Sequence, residues 1–287
     1  MNIRNFYILL FVAFCVSRVV GATPPIGVAY WDVDGFYDTI PSLFYDDTRY
    51  TSSGRYRWTT ERYRAKVERV VEVVDSMRLP LVALYGVESE DVVRDIVATS
   101  KIGYSYTHRT ISSRDGLDFA LLYFGDILAV DYVRVISRRL YVEGVLSVEE
   151  PRSGGKIHKC RIGIWLAMSS EDMCSCEPPH NLPLPDIMLV AGRVSHRTIS
   201  RLKIWDPLNE QEREGRGNCA SSRGWYLRDR IGVKPAGVLC GRGIYIKSWL
   251  LDPRSGVPLG TFNRDSYTAG YSRSLPIYLY LDVETVR

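Results

Sequence analysis

The chain has 287 residues, with 37 Lys and Arg against 33 Asp and Glu, a net charge of +4. A balance this close to neutral gives no case for nucleic-acid binding through bulk charge. The length suits one large domain or two small ones.

Residues 1–22 read as a secretory signal. Arg4 supplies the positive n-region, Phe6 to Val16 an apolar run of h-region length, and Val20-Gly21-Ala22 the small or aliphatic residues before a cleavage site. The run is too short for a spanning helix, and the competing reading is an uncleaved anchor. Cys15 raises a lipoprotein site, against which the bulky Phe14 argues. Cleavage near Ala22 removes Arg4 and Arg18 and no acid, taking the net charge from +4 to +2. The expected mature chain, 23–287, is exported to the periplasm, the cell surface or the medium, and it contains no further membrane span.

Gly27 to Trp31 is a short apolar run and predicts a strand. A polar, aromatic loop follows from Asp34 to Trp58. Thr59 and Thr60 then offer an N-cap, with Glu61 in the first turn where the helix dipole favours an acid. Val67, Val70, Val71, Val74 and Met77 recur at helical spacing, which predicts an amphipathic helix over 60–77. Leu81 to Val87 is continuously apolar, as is a strand covered on both faces. Ser89 caps a second helix over 89–99, with Val92, Val93, Ile96 and Val97 on one face. Strands are predicted at 103–109, 118–124, 127–136, 140–148, 160–167, 186–193, 243–250 and 276–283, and a polar helix at 200–213. Two early helices on a β-α-β plan joined to a strand-rich remainder fit an α/β sandwich, two sheets face to face with helices outside. The stretch 168–185 is the most linker-like, but strand-like runs on both sides make it a loop within one fold.

Five cysteines follow residue 22: Cys160, Cys174, Cys176, Cys219 and Cys240. Export permits disulfides, and the odd number leaves at least one thiol over. Cys174 and Cys176, with His180 nearby, read either as a metal knuckle or as a surface loop pinned by one disulfide or none. No CxxC pair supports zinc. His108, His158, His180 and His196 form no convincing triad with a serine or cysteine, and His196 reads as a loop histidine without a catalytic role. The 19 tyrosines and six tryptophans fit a sheet core better than a carbohydrate or nucleic-acid surface.

Several segments stand in a recognisable order. They are Trp31-Asp32-Val33-Asp34, Arg57-Trp58-Thr59-Thr60-Glu61-Arg62-Tyr63-Arg64-Ala65-Lys66, Leu84-Tyr85-Gly86-Val87-Glu88, Gly116-Leu117-Asp118-Phe119-Ala120-Leu121-Leu122-Tyr123, Leu189-Val190-Ala191-Gly192-Arg193-Val194-Ser195 and Gly270-Tyr271-Ser272-Arg273-Ser274-Leu275-Pro276. This resembles the endonuclease/exonuclease/phosphatase superfamily, in particular its exported bacterial branch, and the R-W-T-x-x-R-Y-x-x-K stretch is the most specific match. The resemblance implies a four-layer sandwich of two packed, mostly antiparallel sheets with helices outside. It also implies phosphoester hydrolysis assisted by Mg²⁺ or Mn²⁺, held by hard oxygen ligands and acting by polarising the phosphate.

Laid on the family's site, this sequence departs nearly everywhere. The metal-side Asn falls on Asp32, the metal Glu on Gly86, and the His of the N-H-W-P segment on Leu166. The Asp and Asn of G-D-F-N fall on Arg193 and Ser195, and the terminal Asp-His pair on Arg273 and Ser274. Asp118 and Asp229 survive. A glycine has no side-chain ligand, and an arginine brings a cation to where a cation would bind. The expectation is a catalytically inactive member kept as an extracytoplasmic binding or interaction module, needing no cofactor. Its partner would be an anionic small molecule or a protein. Arg193 and Arg273 then either hold an anion bidentately or pair with Asp32, Asp34, Asp118 or Asp229 and close the cleft. The alternative is an active metal-dependent phosphodiesterase or endonuclease with replacement ligands Asp32, Asp34 and Glu88, in which Glu88 competes with its reading as a surface acid at a strand end.

Overall fold

The computed structural model describes residues 23–149, 157–179 and 182–286. The expected signal over 1–22, with Cys15 and Ala22, and His180 of the cysteine loop lie outside the described residues.

The apolar run at Gly27 grows into β1 (Ile26–Phe36). Its side chains alternate between two cores. Val28 and Tyr30 face one way, Ala29, Trp31 and Val33 the other, and all five are buried, because this strand is covered on both faces. It pairs in parallel with β2 (Leu81–Val87), and α1 (Thr60–Met77) makes the crossover. Around them lie β3 (Ser105–Arg109), β4 (Asp118–Tyr123), β12 (Leu239–Ile244) and β15 (Ile277–Leu281). The first sheet has the order β12-β15-β1-β2-β4-β3. The second sheet, β11-β8-β7-β6-β5, is built from β5 (Leu128–Ile136), β6 (Arg139–Glu149), β7 (Ile157–Ala167), β8 (Ile187–Gly192) and β11 (Arg230–Lys234). Two small hairpins complete the strands: β9 (Cys219–Ser221) with β10 (Gly224–Tyr226), and β13 (Phe262–Asn263) with β14 (Ser266–Tyr267).

The layers follow from which residues share a core. Between the sheets lie Val28, Tyr30, Ala83 and Phe119 of the first and Leu140, Leu166, Leu189 and Ile231 of the second. On the outside of the first sheet, Trp31 and Leu84 meet Val67, Val70 and Val74 of α1 and Val92 and Ile96 of α2 (Glu90–Thr99). On the outside of the second, Tyr141 and Trp165 meet Ile199 of α3 (His196–Arg201). Thr59 and Ser89 cap α1 and α2 by accepting from Arg62 N and Val92 N, both at 3.4 Å. Two packed sheets with helices outside are what the sequence pattern implied.

Besides the hairpins β9-β10 and β13-β14, which the pattern did not predict, three elements depart from it. The polar helix expected at 200–213 is two short helices, α3 and α4 (Asn209–Arg213), because Trp205 leaves helical geometry to exchange backbone hydrogen bonds with Val233 at 3.1 and 2.9 Å. Pro207 follows and restricts the residue before it. The strand expected at 243–250 lies earlier, at Leu239–Ile244; the next residues turn so that Leu250 is buried and Trp249 packs on Tyr271. β11 was not foreseen: its core apolar residues are only Ile231 and Val233, and its partner β8 lies some 40 positions earlier.

Candidate functional site

β1 and β2 fall out of register between Asp32 and Phe36. Asp32 is the last partner before the shift, opposite Tyr85, and strand alternation puts it on the face of Val28 and Tyr30. Asp32 is 1% exposed. Its Oδ1 accepts Asp34 N at 2.9 Å. Its Oδ2 accepts two guanidinium groups, Arg193 Nη2 at 2.5 Å and Arg228 Nη2 at 2.8 Å. Asp34, held at φ 65°, pairs with Arg273 through Nη2 at 2.6 Å and Nε at 2.7 Å. Gly260 makes room for that pair, since a Cβ there would lie 2.6 Å from Arg273 Cγ and 2.9 Å from Asp34 Oδ2.

Arg193 is set by Gly192, whose φ of 135° leads the chain off β8 where a Cβ would lie 2.0 Å from Ala167 O. Its guanidinium also lies 5.1 Å from the centre of the Tyr85 ring. Burial opposes the Arg193 and Arg228 charges, but the carboxylates beneath outweigh it and both stay protonated. Asp229 Oδ1 is 3.5 Å from Arg228 Nε, and Asp229 Oδ2 accepts Asn218 Nδ2 at 2.7 Å. Burial nonetheless pushes the Asp229 carboxyl up, with Arg228 opposing. Lys66 reaches the same region from α1. Its ammonium, fully buried, donates to Thr261 Oγ1 at 2.7 Å and to Tyr271 O, and burial lowers its pKa to about 8. Four cations thus face three acids. Three of these cations, Arg193, Arg228 and Arg273, line a cleft of about 740 Å³ together with Arg264 and the aromatic rings of Tyr226 and Phe262. Asp252, the acid of this lining, accepts from Arg254 N and Ser255 N.

Asp32, Asp34, Arg193, Arg273 and Asp229 are therefore brought together as the sequence suggested. Gly86 stands with them: at φ 93°, a Cβ there would lie 3.4 Å from Asp32 Oδ1. The other positions serve the scaffold. Leu166 is buried between the sheets. Ser195 caps α3, accepting from Thr198 N at 3.2 Å. Ser274 is buried and donates to Asp32 O at 3.1 Å, as Ser272 does at 2.6 Å, bracing β1 from behind. Asp118 does not reach the arginines; it accepts from Ile111 N at 2.6 Å and sits 3.2 Å from His108 Nε2. Glu88 is neither a surface acid nor a companion of Asp32. It is 5% exposed, and it accepts from Asp38 N at 2.5 Å and Tyr45 Oη at 2.9 Å.

Arg228, Asn218 and Lys66 were missed as site residues. Arg228 was legible as the neighbour of Asp229, and Lys66 as the last residue of the most specific motif. His196 has company that sequence reading did not give it, with Asp206 at 3.0 Å from Nδ1 and Ser200 Oγ at 3.4 Å from Nε2. The same Asp206 oxygen is also taken by Arg230 at 2.8 Å. All five cysteines of the described residues are free thiols.

Residues 27–147 match a family model described as Endonuclease/Exonuclease/phosphatase family. No curated protein matches the sequence. Among solved structures, truncated TDP2 from Caenorhabditis elegans is similar at a TM-score of 0.51 and 11% identity, over 90% of this chain and 98% of that one. An endonuclease/exonuclease/phosphatase from Bacteroides vulgatus is similar at 0.50 and 12%, with the same coverage. At such identities the likeness is one of fold. The family match covers β1 to β6, so that part of the chain is similar to the endonuclease/exonuclease/phosphatase family, and the fold shared with these structures continues through the rest.

Proposed function

We propose that this chain is a non-hydrolytic member of the endonuclease/exonuclease/phosphatase superfamily that binds an anion, without metal, in the cleft where relatives work on phosphoesters. The observation that carries this reading is the double occupation of Asp32 Oδ2 by Arg193 and Arg228 beside the side-chain-less Gly86. A divalent cation placed against Asp32 would meet two guanidinium groups within hydrogen-bonding reach of the same oxygen. Like charges at such range repel by several kcal/mol in a partly buried site. The residues present therefore do not fit Mg²⁺ or Mn²⁺. The replacement set Asp32, Asp34 and Glu88 does not fit either, because Asp34 is taken by Arg273 and Glu88 by the loop at Asp38 and Tyr45.

The same charges suit an anion. Arg193 and Arg273 keep 40% and 68% of their side chains exposed to the cleft region. A planar guanidinium presents five N–H donors, so neither arginine is exhausted by its carboxylate. Four cations, Arg193, Arg228, Arg273 and Lys66, stand against the three carboxylates Asp32, Asp34 and Asp229, so the cluster carries a positive excess. We further propose that the chain acts outside the cytoplasm, as its first 22 residues suggest.

Phosphate or sulfate should raise the Tm at constant ionic strength, and Arg193→Ala or Arg273→Ala should remove the rise. Hydrolysis of bis-p-nitrophenyl phosphate or of DNA with Mg²⁺ or Mn²⁺ should stay at background. Turnover lost on chelation and in Asp32→Ala would refute the reading.

A further inference from the structure

The loop between β1 and the 3₁₀ turn at Thr48–Tyr50 carries the two most exposed large apolar side chains among the described residues, with a third beside them. Leu43 is 95% exposed, Phe44 93% and Ile40 72%. Single exposed apolar residues are ordinary, but adjacent ones on one loop mark a contact surface. This loop is held in place. Glu88 accepts Asp38 N at one end and Tyr45 Oη at the other. Ser42 N donates to the buried Asp47 at 3.0 Å, and Phe44 N to Ser42 Oγ at 3.1 Å. Tyr45 lies against Gly116, where a Cβ would come within 2.2 Å of its ring. Leu43 and Phe44 are thus presented outward by a fixed turn.

Beside the loop is a cavity of about 470 Å³ whose walls include Arg49, Arg114 and Arg138, with Asp46 and Asp115. Asp46 is committed to Thr48, through N at 3.2 Å and Oγ1 at 2.5 Å. Among the described residues Arg49 and Arg114 make no ion pair, and the carboxylate paired with Arg138 is Asp172 at 3.9 Å. Three guanidinium groups beside an apolar tip match the chemistry of a phospholipid surface, where acyl chains lie beneath a layer of phosphates. A second protein is a poorer match. Three side chains offer a few hundred Å² at most, below the roughly 800 Å² that each partner contributes to a stable interface.

We propose that Ile40, Leu43 and Phe44 dock this protein on an anionic phospholipid bilayer, with Arg49, Arg114 and Arg138 holding headgroup phosphate. The inference is independent of the Asp32 cleft. The test is flotation with vesicles of phosphatidylcholine, alone or mixed with phosphatidylglycerol, using chains with identical termini so that any contribution of residues 1–22 cancels. Wild type should partition to the mixed vesicles, more weakly at high salt. Leu43→Ser with Phe44→Ser should reduce partitioning by roughly tenfold for each side chain and leave the Tm unchanged. Arg114→Gln with Arg138→Gln should remove about tenfold from the preference for phosphatidylglycerol. Absence of wild-type partitioning, or equal partitioning of the serine variant, overturns the proposal. So does a wild-type dimer in sedimentation that the serine variant converts to monomer, because the tip would then join two copies of this chain.

Discussion

Asp32→Asn separates a structural charge pair from a binding site. The side chain is 2% exposed and holds Arg228, 24% exposed, and Arg193, 40% exposed. The amide can keep the bond to Asp34 N through its oxygen, but then its NH₂ points donors at two donor groups. Breaking a fully buried pair costs about 3–5 kcal/mol, whereas an exposed pair is worth about 0–1 kcal/mol. With both arginines partly hydrated, and Asp229 still beside Arg228, a loss of about 2–3 kcal/mol is expected. For a protein of this size that lowers the Tm by roughly 5–10 °C. The freed guanidinium groups should bind inorganic phosphate about tenfold more tightly, a change of about 1.4 kcal/mol. Added phosphate should then restore part of the lost Tm. The assay is thermal unfolding across a phosphate titration at fixed ionic strength. A variant that melts like wild type and gains nothing from phosphate would refute the reasoning. One that loses a phosphate response present in wild type would make Asp32 part of the anion site rather than its competitor.

Other outcomes follow from the same geometry. Burial lowers Lys66 from 10.5 to about 8, so between those values the unfolded chain binds the extra proton and stability rises with pH; Lys66→Met should remove that rise in Tm measured from pH 8 to 10.5. Burial raises Glu88 from 4.5 to about 7, so the folded chain binds the extra proton there and stability falls as pH rises through that window. Glu88→Gln should flatten the fall, with the contributions of Asp38 and Asp118, raised in the same direction, left in place. Gly86→Ala, at φ 93° and with its Cβ 3.3 Å from Gly35 N, should cost about 1–3 kcal/mol, seen as a lower urea midpoint.

Local pattern was enough for the scaffold. The valine stripe of α1, the Ser89 cap of α2 and the continuous apolar run of β2 each bury one predictable face, and the structure places them within a residue or two. Ordered motifs went further. They identified Gly86, Arg193 and Arg273 as departures around one point, which the fold brings to Asp32 and Asp34. Where local signals competed, reading failed: residues 200–213 look helical in composition, but Trp205 bonds to Val233 and Pro207 forbids continuation.

Compensation of charge was decided by tertiary structure alone. Arg228 reaches an aspartate 196 positions away, and Lys66 an oxygen 205 away. The most prominent acid after β2, Glu88, turned from the cleft to anchor a loop. A sequence lists its charges without saying which share a low-dielectric pocket, and that proximity sets their energies. The residues themselves fixed which charges were available, while the packing of two sheets and their loops chose which of them meet at Asp32.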